Sequence, residues 1–289
     1  MTAMVKSGYS GASNTAISHH YDISNDFYEL WLDENVVYSC ALWGEGDTLE
    51  SAQLRKLDYF VEQTQSANAR RVLDVGCGWG SMLHRLVSAH NVSEVVGLTL
   101  SEEQVDKVQS LNIPGCEVRL ENWHDHQPTG RYDAIISLGA FEHFARRGLT
   151  REQKVAGYRT FFEKCRSWLE PGGRLGLQTL VRGNIIKFDR QYIRDMEFVA
   201  EHIYPDTETP YVSEIIEASE KIFDTVAVRI DPHHYERTIQ EWRRRLVDNR
   251  DRAVEISGRQ TYDNYLRYLD TCEHSFKYRF ASLFRFTFE

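Results

Sequence analysis

The 289-residue chain lacks an excess of positive charge: 34 Lys and Arg stand against 43 Asp and Glu, a formal net charge of −9. That argues against a nucleic-acid binder and against docking on anionic membrane through bulk charge. Its five cysteines, Cys40, Cys77, Cys116, Cys165 and Cys272, are odd in number, scattered, and show no CxxC spacing. No disulfide framework or metal site is expected, and a reduced, cytoplasmic setting is. The chain opens without a charged-then-apolar leader, and no apolar run approaches a membrane span, so a soluble protein is expected. Internal repeats and low-complexity tracts are absent too. What remains is an ordinary globular composition, 42% hydrophobic and 27% charged, long enough for one large or two small domains.

One stretch organises the rest: Val72-Leu73-Asp74-Val75-Gly76-Cys77-Gly78-Trp79-Gly80-Ser81. An apolar run leads into a carboxylate, then into three glycines on alternate positions, then into a helix-like segment. That order reads as strand, glycine turn, helix. The glycines permit positive φ and let a ligand lie against bare backbone, at the carboxyl end of a strand where open α/β sheets bind ligands. The spacing is G-x-G-x-G, without the extra residue of the dinucleotide fingerprint and without the Lys-Ser/Thr of a phosphate loop. The turn therefore suits a nucleoside with a charged, non-phosphate tail, which is the description of S-adenosylmethionine.

Around it the chain alternates. Strands are expected at Val72–Val75, Val95–Leu98, Cys116–Leu120, Tyr132–Leu138 and Arg174–Thr179, with helices at Ser81–Ala89, Glu102–Ser110 and Arg151–Leu169. Ser101 with Gln104 three residues on has the form of a capping box, and Pro171-Gly172-Gly173 reads as a stop signal. Such alternation predicts an α/β fold with a seven-stranded, mostly parallel sheet and helices on both faces. Residues 1–70 are expected to form an N-terminal helical cap, with a helix starting at Thr48, and 71–180 the cofactor-binding core. The βα pattern breaks after Leu180, so 181–221 is expected to carry a helical lid, mobile over 181–210. Residues 222–289 complete the sheet with strands Thr225–Ile230 and Ser282–Phe288 and helices Tyr235–Asn249 and Tyr262–Lys277.

The chain resembles the cyclopropane-fatty-acid-synthase-like S-adenosylmethionine-dependent methyltransferases, which include the mycolic acid cyclopropane synthases. The residues that carry the resemblance run from about His19 to the end. They are His20-Tyr21-Asp22, Tyr38-Ser39-Cys40-Ala41, the glycine turn, Gly97-Leu98-Thr99-Leu100-Ser101, Gly139-Ala140-Phe141-Glu142-His143-Phe144, and His234-Tyr235 with Thr238 and Trp242. The resemblance implies a class I methyltransferase fold. It implies that Tyr38, Ser39, Gly76 and Gly78 surround the methionyl tail, and that Asp74 belongs to the cofactor-binding residues. Thr99, Leu100 and Gln104 hold the ribose, and Trp123 beside Asn122 covers the adenine. The acid that many methyltransferases place after the second strand is missing, so Gln104 must supply much of the polar contact.

The resemblance further implies a bicarbonate ion near the reacting methyl group, held through Cys, Glu, His and Tyr. Cys40, Glu142 and Tyr235 stand at matching places, but the His is replaced by Gln178. Glutamine can donate a hydrogen bond to an anion yet carries neither proton nor charge, so bicarbonate stays an open second ligand. Read without the resemblance, Trp123 is equally a packing aromatic, Cys40 a small buried apolar residue and Tyr235 a core tyrosine. Arg243-Arg244-Arg245 reads first as a solvated helix face and second as a dock for an acidic carrier protein. Three functions stay open. One is transfer to carbon of an unsaturated, partly hydrophobic small molecule, with or without cyclopropane formation. Another is N- or O-methylation of a secondary metabolite, and the last a cofactor-binding protein without catalysis.

Overall fold

A computed structural model describes residues 11–13, 24–184 and 190–289. His20-Tyr21-Asp22, and the Ile185, Phe188 and Asp189 positions of the expected lid, lie outside the described residues. The elements follow in the order α1 (Asn25–Glu29), α2 (Leu49–Gln63), β1 (Arg71–Val75), α3 (Ser81–His90), β2 (Glu94–Thr99), α4 (Glu102–Ser110) and β3 (Cys116–Leu120). Then come β4 (Tyr132–Leu138), a 3-10 turn (Phe141–His143), α5 (Arg151–Trp168), β5 (Leu169–Arg182), α6 (Arg190–His202) and α7 (Val212–Ser219). The chain closes with β6 (Thr225–Ile230), α8 (Pro232–Asp248), α9 (Arg250–Ser257), α10 (Arg259–Lys277) and β7 (Ala281–Phe288).

The strands form one sheet of order β3-β2-β1-β4-β5-β7-β6. The first five pair in parallel, while β7 runs antiparallel to both β5 and β6. The order reverses at β1, so the crevice that receives a ligand opens at the carboxyl ends of β1 and β4. β1 is buried along Val72–Val75, as a central parallel strand with both faces covered must be.

Local chemistry sets the boundaries. Thr48 and Ser51 cap α2 reciprocally, and Thr150 with Gln153 does the same for α5, satisfying amide groups that a helix start leaves bare. The expected box at α4 is half formed. Ser101 Oγ accepts from Gln104 N at 3.3 Å, but the Gln104 side chain turns away to bond the Thr99 hydroxyl at 2.5 Å. β5 is longer than predicted at both ends. Leu169 already pairs with Tyr132, the register shifts across Pro171–Gly173, and pairing resumes at Arg174 with Ala134. The stop signal is thus folded into the strand as an irregularity, and Val181 and Arg182 belong to the sheet through β7 rather than to the lid.

Three cores result. One face of the sheet packs on α5 and α7 through Phe141, Phe161 and Phe162. The other packs on α2 and α3 through Phe60, Leu83 and Leu86. A third, rich in aromatics, joins α1 and the N-terminal segment to α8 and α10 through Trp31, Trp242 and Tyr265. This last core brings the N-terminal cap over the glycine turn: Trp79 Nε1 donates to Asn25 Oδ1 at 2.6 Å, and the Tyr28 and Tyr265 hydroxyls lie 2.8 Å apart.

Candidate active site

β1 ends in Asp74 and Val75 and turns through Gly76, Gly78 and Gly80, all at positive φ. Two of these glycines answer to different demands. A Cβ on Gly76 would stand 2.4 Å from the Ala140 Cβ, so that glycine lets the loop after β4 close on the turn. A Cβ on Gly78 would meet nothing within 4 Å, because that residue borders open space.

The space is a cavity lined among others by Tyr38, Ser39, Asp74, Gly76, Gly78 and Lys56 at one end. Thr99, Leu100, Gln104, Glu121 and Trp123 line the other. Trp123 does both things open to it: its ring packs 5.0 Å from Phe144 and 5.3 Å from Phe161, and it walls the cavity. With Gln104 Oε1 engaged by Thr99, the amide nitrogen is the group left for a ribose hydroxyl. Asn122, expected beside Trp123 at the adenine, is placed differently from its neighbour. It does not line the cavity; its Oδ1 accepts from His124 N at 2.9 Å and shapes the turn. Glu121, one residue earlier, lines the wall instead, and the alternation of β3 alone does not reveal which neighbour faces in.

The segment that delivers Tyr38 and Ser39 is held from several sides. Asp33 accepts from Val37 N at 2.8 Å and from Asn35 N at 3.1 Å, which fixes Val36 at φ 53. A β-branched residue in that region is strained, and such strain collects at functional sites. Gln53 Nε2 of α2 donates to Val37 O at 3.2 Å and Ser39 O at 2.9 Å. From α8, the Thr238 hydroxyl accepts from Ala41 N at 3.2 Å and from Trp43 Nε1 at 3.0 Å, while His234 Nδ1 accepts from Trp43 N at 2.8 Å. The His234, Thr238 and Trp242 pattern is therefore an anchor for the N-terminal segment.

A second chamber adjoins the first and shares Tyr38, Ser39, Gly139 and His143 with it. Glu142, Gln178, Leu180, Tyr204, Thr207, Tyr235, Tyr268 and Leu283 complete its wall. Three of the four expected catalytic residues, Glu142, Tyr235 and Gln178, thus meet around one space. Glu142 Oε1 accepts from Leu180 N at 2.5 Å, whereas Oε2 is buried without a hydrogen-bond partner. Burial raises its pKa above the usual carboxylate range, against the Leu180 amide and the Thr179 hydroxyl, which favour the anion. Burial also lowers His143 to about 4, so it stays a neutral ring, with Nδ1 3.1 Å from the Thr207 hydroxyl.

Cys40 is the fourth expected residue and does not reach either cavity. It is fully buried, its thiol donates to Ala41 O at 3.2 Å, and burial pushes it up to about 11. Such a thiol is a small apolar filler. Behind it sits Arg285, buried in β7, which pairs with Asp231 and donates to Ala41 O at 3.1 Å and to Gln178 Oε1 at 2.9 Å. Sequence reasoning missed Arg285, Tyr204, Tyr268 and Lys56, since nothing local marks a lysine or tyrosine of a helix, a tyrosine of a turn or an arginine of a strand as turned to the site. His143 was legible, lying beside Glu142 in the same short motif. Among the described residues no group of His, Cys, Asp and Glu could hold a metal ion, and no helix is long and apolar enough to cross a membrane.

Sheet order, glycine turn and paired cavities define a class I S-adenosylmethionine-dependent methyltransferase. The sequence model of the family described as mycolic acid cyclopropane synthetase matches residues 10–286. The chain is 32% identical over 281 residues to the S-adenosylmethionine-dependent methyltransferase UmaA of Mycobacterium tuberculosis, covering 92% of this chain and 94% of that one. Its fold is similar to the cyclopropane synthase MmaA2 from Mycobacterium tuberculosis, with a TM-score of 0.88 and 29% identity over 96% and 98% of the two chains. It is similar too to the mycolic acid cyclopropane synthase CmaA1 complexed with SAH and CTAB, at a TM-score of 0.87 and 29% identity over the same shares. The chain belongs to the mycolic acid cyclopropane synthetase family.

Proposed function

We propose that this enzyme transfers a methyl group to a carbon of an unsaturated, compact and partly hydrophobic metabolite. The observation that carries the reading is Glu142 Oε2, buried and without a hydrogen bond in a chamber walled by Tyr38, Tyr204, Tyr235 and Tyr268. The cofactor supplies an activated methyl group; the cavity fits it through the bare backbone at Gly78, the Gln104 amide and the Trp123 wall.

The residues of this chain do the rest. The chamber aligns the acceptor and excludes water. When an alkene π pair forms the new carbon–methyl bond, the neighbouring carbon becomes electron-poor, and the tyrosine faces stabilise it. Glu142 Oε2 then accepts a proton. The electrons of that C–H bond close either a new double bond or, if the proton leaves the incoming methyl, a three-membered ring. In this reading Glu142 serves as the base, and bicarbonate stays an open second ligand beside Gln178 and Tyr235 in the same chamber. A free metabolite is a better acceptor than a carrier-bound one. Arg243 pairs with Asp270, Arg244 with Glu241 and Asp248, and Arg245 with Glu50, which leaves the helix face little net charge for a carrier.

Incubation of a metabolite extract with methyl-labelled S-adenosylmethionine, followed by mass spectrometry, tests the reading. Label bound to carbon is expected. Label on nitrogen or oxygen would replace the reading with heteroatom methylation, in which the same carboxylate takes the proton that an amine or hydroxyl acceptor loses.

A further inference from the structure

Lys56 is the most unusual charge in the molecule. It lies on α2, one turn beyond Gln53, and its side chain is fully buried. Its Nζ bonds a single neutral acceptor, Ser39 Oγ at 2.9 Å, and no carboxylate of the described residues lies within salt-bridge distance. A buried ammonium without a counter-ion is costly, and burial brings Lys56 down to about 7 although Asp33 and Asp74 favour its charge. Asp74 on β1 is the mirror case: 2% exposed, without a side-chain hydrogen bond among the described residues, and raised by burial to about 7. Both line the same end of the larger cavity, beside Tyr38, Ser39 and Gly76.

Anchoring the Ser39 segment does not require Lys56. The carbonyls of Val37 and Ser39 are already held by Gln53, and Ala41 by Thr238. What the cavity end offers is one bare cation and one bare anion, the complement of a free α-amino acid. We infer that Lys56 binds the α-carboxylate of the cofactor's methionyl tail, opposite Asp74 at the ammonium group, so that cofactor binding supplies the counter-ion that the fold leaves out. The inference rests on S-adenosylmethionine as the ligand of this cavity.

Calorimetry with three nucleosides separates the two. S-adenosylhomocysteine carries the whole amino-acid tail, its decarboxylated analogue carries the amine alone, and 5′-methylthioadenosine carries neither. The Lys56→Met variant should bind S-adenosylhomocysteine roughly 10- to 100-fold more weakly, the worth of a hydrogen bond to a charged group. It should bind the other two within about twofold of the native protein. The native protein should itself prefer S-adenosylhomocysteine to the decarboxylated analogue by a similar factor, a comparison that needs no variant to fold. Unchanged affinity of Lys56→Met for S-adenosylhomocysteine, equal losses for all three nucleosides, or equal native affinities for the first two would each overturn the role of Lys56. A native protein that binds none of the three would overturn the cavity reading beneath it.

Discussion

Arg285 and Gln178 are cross-strand partners of β7 and β5, and the guanidinium Nε donates to Gln178 Oε1 at 2.9 Å. An arginine can only donate, so it fixes which end of the amide turns to it and leaves the Gln178 nitrogen as the donor toward the chamber. The glutamine that stands where the family resemblance calls for histidine is thus held by a buried cation. Arg285→Met should be costly, because it strands Asp231 and frees the carbonyls of Cys40 and Ala41. Arg229 still pairs with Asp231 at 2.7 Å, which places the loss near the lower end for a broken buried pair, about 3 kcal/mol. Thermal unfolding checks it, and Arg285→Met combined with Asp231→Leu should recover much of the loss.

Glu142→Gln should lower kcat by about 10²- to 10⁴-fold, the range for removing a general base, with the affinity for S-adenosylhomocysteine nearly unchanged. The side chain reaches the second chamber and is not part of the first cavity's wall. Because burial raises its pKa, the base form is lost as pH falls through a value above the ordinary carboxylate range. Native kcat should therefore rise with pH across that raised value and then level, and the Gln variant should lack the acid limb. Retention of full activity by Glu142→Gln would move the base elsewhere. Turnover in carbonate-depleted buffer decides the accessory ligand: restoration only by added bicarbonate would make the ion the base.

The glycines of the turn should fail in different ways. Gly76→Ala drives a methyl into Ala140 and should lower Tm. Gly78→Val meets no protein atom there, but it puts a branched side chain into the cavity at φ 55, a region that costs a non-glycine residue about 1 kcal/mol. Its loss should fall on S-adenosylhomocysteine binding measured by calorimetry, with only a small change in Tm.

How much of this was legible in the sequence follows the range of the interactions. The β1 turn, the βα alternation and the helix start at Thr48 depend on neighbours a few residues apart, and they lie where the pattern put them. The meeting of Glu142, Gln178 and Tyr235 was legible only through the resemblance, since 36 and 57 residues of chain separate them. Periodicity did not reveal Tyr268 as a chamber wall, because a tyrosine facing a cavity and one facing a core occupy the same helical stripe, and Tyr204 lies in the turn after α6, where no periodicity applies. Cys40 misled for a related reason: its neighbours Tyr38 and Ser39 do reach the site, while the cysteine itself faces the opposite way, onto Arg285. The lid boundary failed at Val181 and Arg182 because pairing with β7, far along the chain, extends β5 beyond its apolar run.

The segment from Arg190 to Pro210 should gain protection when ligands bind. Tyr204 and Thr207 wall the chamber, while α6 rests on α10 and its neighbours through Asp195 with Arg267 at 2.9 Å and Tyr192 with Phe280 at 4.3 Å between ring centres. Hydrogen exchange should slow across this segment when S-adenosylhomocysteine and acceptor are both present. Equal exchange with and without them would make it a fixed wall.

The buried pair beside the glycine turn should leave a mark on stability. Asp74 is held at about 7 in the folded state, above its usual 3.8, so the folded protein binds that proton more tightly than the unfolded chain. Stability from this group is present below about pH 4 and is lost as pH rises to about 7. Lys56 is lowered from 10.5 to about 7, so the unfolded chain binds its proton more tightly. Its charged form burdens the fold below about pH 7, and stability returns as pH climbs toward 10.5. Lys56 feels Asp33, Asp74, Cys40 and Arg285, and Asp74 feels Lys56. Together the two groups place a dip in the stability of the cofactor-free protein near neutral pH. Binding relieves both groups, so the affinity for S-adenosylhomocysteine should itself peak near pH 7, and at one fixed concentration of the nucleoside the rise in Tm should be larger there than at pH 5 or pH 9. Lys56→Met should flatten the alkaline side of the dip and raise Tm of the cofactor-free protein at pH 7 even as it weakens cofactor binding. A fall in that Tm, with the alkaline slope intact, would make Lys56 a structural tie to Ser39 and not a half-made ion pair.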